Sequence, residues 1–387
     1  MDLKNIFSAH NILGLTQLLK KKYPPLSVKK FHQEATLNLA QLELKQRVFQ
    51  LAQVLDQHLP QDFQQATGIL LECLASPEST LETTEEIPHS AFLQGLRGFF
   101  VWPLTTYIEQ RGLQNLPRSL FCLGEMTKRF TAEFAIRPFL IHQQEITLKT
   151  IALWAQDPNE HLRRLASEGI RPRLPWGQRL QAFIKNPKAV LIILEILKYD
   201  SSLYVRKSVA NNLNDISKDH PQQVISLLKK WNQEKVASSE KAKILWITRH
   251  ALRTLLKKGD PDALTLIGYH PPASGHIELQ GLKLASKTIA FGGQLQFSFS
   301  LKNTHKQKTQ QLMIDYVLHH RRKTGQLHPK TFKLTTKNLA PAEKILIQKS
   351  HSFKNVTVRS YYPGQHALEI MVNGKIYSKI IFQLLPE

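Results

Sequence analysis

An all-α repeat solenoid followed by an all-β sandwich, an α + β two-domain chain, is the architecture that these 387 residues predict. Three observations carry it. Apolar residues recur at three- and four-residue spacing from about residue 10 to 268. A segment inside that region returns 43 residues later. Beyond residue 270 the spacing changes to alternation of apolar and polar residues. Single cores rarely exceed about 250–300 residues, so the length also favours two domains, 1–270 and 271–387.

The N-terminus, MDLKNIFSAHNILGLTQLLKKKYPPL, has no uninterrupted apolar stretch and reads as an amphipathic helix, not a signal peptide. LNLAQLELKQRVFQLAQVLDQHL (37–59) has helical spacing throughout. FTAEFAIRPFL (130–140) places Glu133 in a largely apolar helix, with Arg137 four residues on as an i,i+4 partner. In PQQVISLLKKW (221–231) the proline suits a first-turn position. Cys73 and Cys122 lie inside helical patterns with no C-x-x-C spacing, so neither a zinc ribbon nor a disulfide framework is indicated.

The repeat sits in the middle of the helical region. DPNEHLRRLAS begins at Asp157 and DSSLYVRKSVA at Asp200, superposing Leu162 on Val205, Arg163 on Arg206 and Arg164 on Lys207. A weaker copy follows in HALRTLLKKGDPDALTLIG, with Arg253 in the arginine position. Helix pairs at periods of about 40–47 residues are the signature of HEAT-like solenoids, whose curvature leaves a concave binding face. The recurring arginine has two readings. It forms a basic stripe along that face, or it is a structural residue paired with an acid of the next repeat. The net charge of +22 favours the stripe.

After HPPASG (270–275), the stretches QLQFSFSLKN, QLMIDYVLHH, EKILIQKS, HALEIMVN and KIYSKIIFQL alternate, separated by turn signals at 292–293, 363–364 and 373–374. The last, Asn-Gly, marks a two-residue hairpin. About seven short strands indicate an immunoglobulin-like β-sandwich without the Cys…Trp…Cys hallmark. HHRRKTGQLHPK (319–330) reads as a basic hairpin tip, with Arg321 and Arg322 either gripping phosphates or solvated. Residues 271–387 hold 17 of the 52 Lys+Arg and 5 of the 30 Asp+Glu, more than half of the charge excess.

So basic a chain should attract a polyanion. No apolar run approaches the ~18 residues of a membrane span, and a soluble, cytoplasmic monomer is expected. Walker, G-x-G-x-x-G, H-E-x-x-H and G-x-S-x-G motifs are absent, and no metal site is indicated. Asn355-Val-Thr fits the glycosylation pattern, without meaning in a cytoplasmic protein. The interesting interruption is ASEGIRPRLPWGQRL (166–180), where Glu168, Arg171, Arg173 and a lone Trp176 gather around Pro172, Pro175 and Gly177. Composition and spacing reach as far as a basic solenoid with a sandwich that binds nucleic acid.

LRRLASEGIRPRLPWG, followed by YDSSLYVRKSVANNLNDISKDHP, resembles the bacterial DNA alkylation repair proteins of the AlkC/AlkD type, AlkC in particular, and FTAEFAIRPFL fits the same family upstream. The match is densest from about 120 to 232. Some AlkC proteins also carry an immunoglobulin-like domain, which extends the resemblance over essentially the whole chain. It implies a monofunctional DNA glycosylase without metal or organic cofactor. Such an enzyme removes cationic N-alkylated bases, chiefly 3-methyladenine, from double-stranded alkylated DNA held on the solenoid. It also implies that Glu133, Glu168, Trp176 and Asp215 form the active site. Carboxylates would stabilise an oxocarbenium-like sugar and position water, and the indole would meet a cationic nucleotide. Arg163, Arg164, Arg206 and Lys207 are phosphate candidates from the repeat, and Arg171 and Arg173 from the loop. The competing expectation is a non-catalytic DNA-binding HEAT protein, a sensor or architectural factor. An RNA-binding solenoid ranks last, because the repeats lack matched base-reading side chains.

Overall fold

A computed structural model of the chain describes residues 2–77, 87–270, 276–354 and 360–386. Residues 271–275 of the expected boundary and the Asn355-Val-Thr sequence lie outside them. Among the described residues seventeen α-helices precede eight strands, and the chain packs as two compact units, Met1–Asp219 and His220–Glu387.

The first unit is helical. The expected helix over 37–59 starts later, at Leu44, because Asn38 takes a left-handed backbone and Glu43 caps Leu44–His58 through a capping box with Gln46. The two repeat copies become helices Glu160–Glu168 and Leu203–Ile216, which pack on each other. Their shared sequence has a shared job. Asp157 Oδ1 accepts from Asn159 N at 2.7 Å, and Asp200 Oδ1 accepts from Ser202 N at 2.8 Å, so each aspartate folds the turn before its helix. Arg163 Nη1 then donates to the carbonyls of Asp157 and Pro158, and Arg206 Nη1 to those of Asp200 and Ser201. The two copies of the unit therefore share the same latch. Cys73 and Cys122 are buried free thiols, and burial pushes Cys73 up to about 12.

The second unit joins four helices to a two-sheet sandwich. The helices are Pro221–Gln233, Ser238–Ala251, Arg253–Lys258 and Pro261–Leu266. The helical pattern thus runs as far as the sequence places it, whereas the compact units divide earlier. The strands are β1 (Ile277–Leu284), β2 (Thr288–Ile289), β3 (Gln294–Asn303), β4 (Gln310–Arg321), β5 (Leu327–Leu339), β6 (Lys344–Ser352), β7 (Gly364–Val372) and β8 (Lys375–Leu384). One sheet runs β1-β3-β6 and the other β2-β8-β7-β4-β5, antiparallel except for the short β2–β8 pair. Alternate residues of both sheets, among them Phe297, Phe299, Leu312, Ile314, Leu368 and Ile370, fill the core. The basic stretch at 319–330 is mostly strand; its turn is confined to residues 322–326, with Gly325 at φ +84°.

The Asn373-Gly374 hairpin carries more than its turn. Asn373 and Gly374 take φ +45° and +80°, as a two-residue hairpin of this type requires. Asn373 Nδ2 also donates to His270 O at 2.8 Å, and Gly374 lies against the backbone of Gly259. The helices thereby cover the outer face of β4 and β5, where Thr331 Oγ1 donates to Lys257 O at 2.8 Å. This cover explains why β4 is buried continuously from Leu312 to Leu318 instead of alternating.

Candidate active site

Three carboxylates and three cations alternate in one line within the first unit. It begins at Glu133, which stands in the turn before helix Arg137–His142 and not in a helix as expected. Glu133 Oε2 accepts from Thr131 Oγ1 at 3.1 Å and is tightly paired with Arg164. Arg164 also reaches Glu168 Oε1 at 3.5 Å. Glu168, the last residue of its helix, is 5% exposed; its Oε1 accepts from Arg171 Nη1 at 2.6 Å and its Oε2 lies 2.5 Å from Ser208 Oγ. Arg171 Nε donates to Asp215 Oδ2 at 2.8 Å, and Lys218 Nζ to Asp215 Oδ1 at 2.8 Å.

Burying so many charges is costly unless each is paired, and here each is. Burial alone would lower Arg171, yet Glu168 and Asp215 hold it above its ordinary value. Arg164 is likewise penalised by burial and raised by Glu168 and Glu133. The carboxylates are therefore fixed in place and held against firmly charged guanidiniums. Only Glu133 Oε1 has no partner among the described residues.

Arg137 does not form the expected pair with Glu133. It is buried, and donates to the carbonyls of Gly169 and Arg171 at 2.9 Å each and, closely, to that of Gln178. Burial, followed by the nearby Arg171, lowers it to about 10. The side chain acts as a staple across the proline-rich loop. The loop then lifts Trp176 to φ +64°, with 71% of the residue exposed. A large apolar ring held in the solvent on a left-handed backbone is strained in a way that packing does not explain. The half-buried Phe134 stacks on Trp102 with ring centroids 5.4 Å apart.

Residues 130–255 match the family described as DNA alkylation repair enzyme, and residues 278–386 match the YhaZ C-terminal Ig-like domain. An uncharacterised protein, YhaZ of Bacillus subtilis, is 38% identical over 99% of both chains. The Pseudomonas fluorescens alkylpurine DNA glycosylase AlkC, solved bound to DNA containing an abasic site analog, superposes over 100% of both chains with a TM-score of 0.87 and 36% identity. The chain belongs to the AlkC family.

In this AlkC-family chain the candidate residues divide into the four that the resemblance singled out and the cations assigned from the repeat and the loop. Glu133, Glu168 and Asp215 share one network, and Trp176 stands on the loop that leaves it. Five of the six cations expected at phosphates in the first unit have partners within the protein. Arg171 is 7% exposed between two acids, Arg164 joins Glu133 to Glu168, and Arg163 forms a two-pronged pair with Asp200, at 2.7 and 3.1 Å. That last contact is the inter-repeat pair that spacing left open. Arg173 pairs with Asp219 nearer the surface, Arg206 latches its own repeat, and Lys207 is exposed. In the second unit Arg322 sits at the exposed turn, while Arg321 is half-buried at the strand end.

Sequence reasoning missed Ser208, Lys218 and the staple role of Arg137. Lys218 lies three residues after Asp215 on the same turn, and Arg164 four before Glu168, so helical spacing could have paired both. Nothing local announces Ser208, which reaches Glu168 from 40 residues away.

Proposed function

We propose that this chain is a monofunctional DNA glycosylase that removes cationic N-alkylated bases, chiefly 3-methyladenine, from duplex DNA. The observation that carries the reading is a line of fixed carboxylates beside an exposed, strained indole. A base alkylated on a ring nitrogen is already a good leaving group, so expelling it needs little acid help. The barrier lies in the positive charge that develops on the sugar. Charge fixed in advance, in a site with little water, stabilises such a transition state without reorganising. Glu168, central and anchored on both oxygens, supplies that field together with Asp215. Glu133, whose Oε1 is unengaged, orients the attacking water. Trp176 presents its face to the cationic nucleotide, an interaction of ~0.5–2 kcal/mol. The Pseudomonas relative, bound to abasic-site DNA, supports both the substrate class and the product.

One observation favours a second reading. The three acids are matched by Arg164, Arg171 and Lys218, so they do not repel DNA, and a non-catalytic binder could keep them. Base release from methylated duplex DNA separates the two. The glycosylase reading expects free 3-methyladenine from the wild type. It also expects loss of on the order of a hundredfold in Glu168→Gln and of about 2- to 30-fold in Trp176→Ala, with DNA affinity retained. Tight binding with no base released by the wild type would leave a sensor or architectural protein.

A further inference from the structure

Lys45, the second residue of helix Leu44–His58, is 131 positions away from the strained indole in sequence but touches its backbone. Lys45 Nζ donates to Trp176 O at 2.5 Å. The same ammonium stands 4.9 Å from the Phe134 ring centroid and 6.0 Å from that of Trp176. It therefore lies within cation–π range of Phe134 and only at the outer limit for the indole. The tie to Trp176 is through its carbonyl, and the exposed indole face stays open to a second cation. Glu109 is the carboxylate that acts on Lys45; burial pushes Glu109 up to about 7, with Lys45 opposing the rise. On the other side of the loop Arg137 holds the carbonyls of Gly169, Arg171 and Gln178, but not that of Trp176. A non-glycine residue at positive φ persists only when its surroundings hold it there, and Lys45 supplies that hold at the residue itself.

We propose that Lys45 is a positioning residue for Trp176, pinning the backbone beneath the indole so that its face is presented before DNA arrives. This rests on the glycosylase reading for its consequence in base release, but not for its consequence in the loop. Lys45 touches neither the acid line nor, in this assignment, the base; it acts through Trp176. It is itself exposed on a helix surface, so replacing it leaves the core intact.

Two measurements on the full chain test the proposal. The first is single-turnover base release from methylated duplex DNA by Lys45→Met and Lys45→Arg, each alone and in a Trp176→Ala background. Lys45→Met should slow release about tenfold or more, the cost of misplacing an aligned group, with DNA affinity and Tm unchanged. Lys45→Arg should recover most of the rate. In the Trp176→Ala background Lys45→Met should add less than about a twofold change, because a residue acting only through the indole has nothing left to position. The second uses 5-fluorotryptophan: the Trp176 fluorine resonance, identified with Trp176→Phe, should shift and broaden in Lys45→Met while those of the other four tryptophans hold. Equal losses in both backgrounds would overturn the proposal, as would an unmoved Trp176 resonance. If the wild type released no base, the glycosylase reading would fall, and the fluorine resonance would decide the role of Lys45 alone.

Discussion

At the residue scale, the informative side chains are charged groups in places where charge is expensive. Arg137 is buried with carbonyls, not a carboxylate, as its partners. Removing it strands three acceptors and frees the loop that carries Trp176. Arg137→Met should lose more than about 3 kcal/mol of stability, and limited proteolysis should then cut between residues 172 and 178. Asp315, on β4, is 5% exposed, and burial raises its carboxyl to about 6, with Lys333 and Lys257 opposing. Between its ordinary value of 3.8 and about 6 the folded state binds more proton than the unfolded. Stability is therefore lost as pH rises through that window. Asp315→Asn should be more stable than wild type at pH 8 by on the order of 2 kcal/mol and lose that advantage below pH 4, as urea unfolding would show. A pH-independent difference would contradict this account.

At the element scale, the recurring Asp-x-x…Arg segment turns out to be a folding unit. Its aspartate shapes a turn and its arginine latches the same turn, so one local sequence builds one local structure twice. The Asn373-Gly374 hairpin illustrates a turn with a second task. A Cβ on Gly374 would stand 2.4 Å from Gly259 O, whereas one on Gly281, at φ +63°, meets nothing within 4 Å. Both replacements by alanine strain the backbone, by about 1 kcal/mol. Only Gly374→Ala also forces the turn off the helices, so it should lower the Tm of the second unit clearly more than Gly281→Ala does. Equal shifts in calorimetry would mean that the close approach carries no weight.

For the whole molecule, a net charge of +22 makes DNA affinity a question of salt. The cations divide into those engaged internally and those left at the surface, and the two classes should behave differently. Replacing Arg322 and Lys323 at the exposed β4–β5 turn with alanine should reduce the slope of log affinity against log salt by about 0.9 for each phosphate no longer neutralised. Fold stability should stay unchanged. Arg163→Ala, which breaks the pair with Asp200 and the latch on Asp157, should lower Tm and leave the slope nearly intact. Titrations at several salt concentrations would decide, and an equal slope change in both variants would refute the division.

The sequence alone determined the order of the two architectures, the repeat and its register, and the Asn-Gly hairpin. These are written locally: hydrophobic period selects helix or strand, and turn chemistry needs particular residues at adjacent positions. The i,i+3 and i,i+4 neighbours of Glu168 and Asp215 were also within its reach. Only the tertiary structure decided which cations face inward. Arg163, Arg164 and Arg171 read as phosphate contacts in one dimension, but folding brings acids 31 to 44 residues away against them, and desolvation makes pairing obligatory. The same holds for Arg137 and Lys45, which reach distant backbone carbonyls that no side-chain pattern marks. Pairing across distant segments depends on the packed geometry of the chain, and no local pattern encodes it.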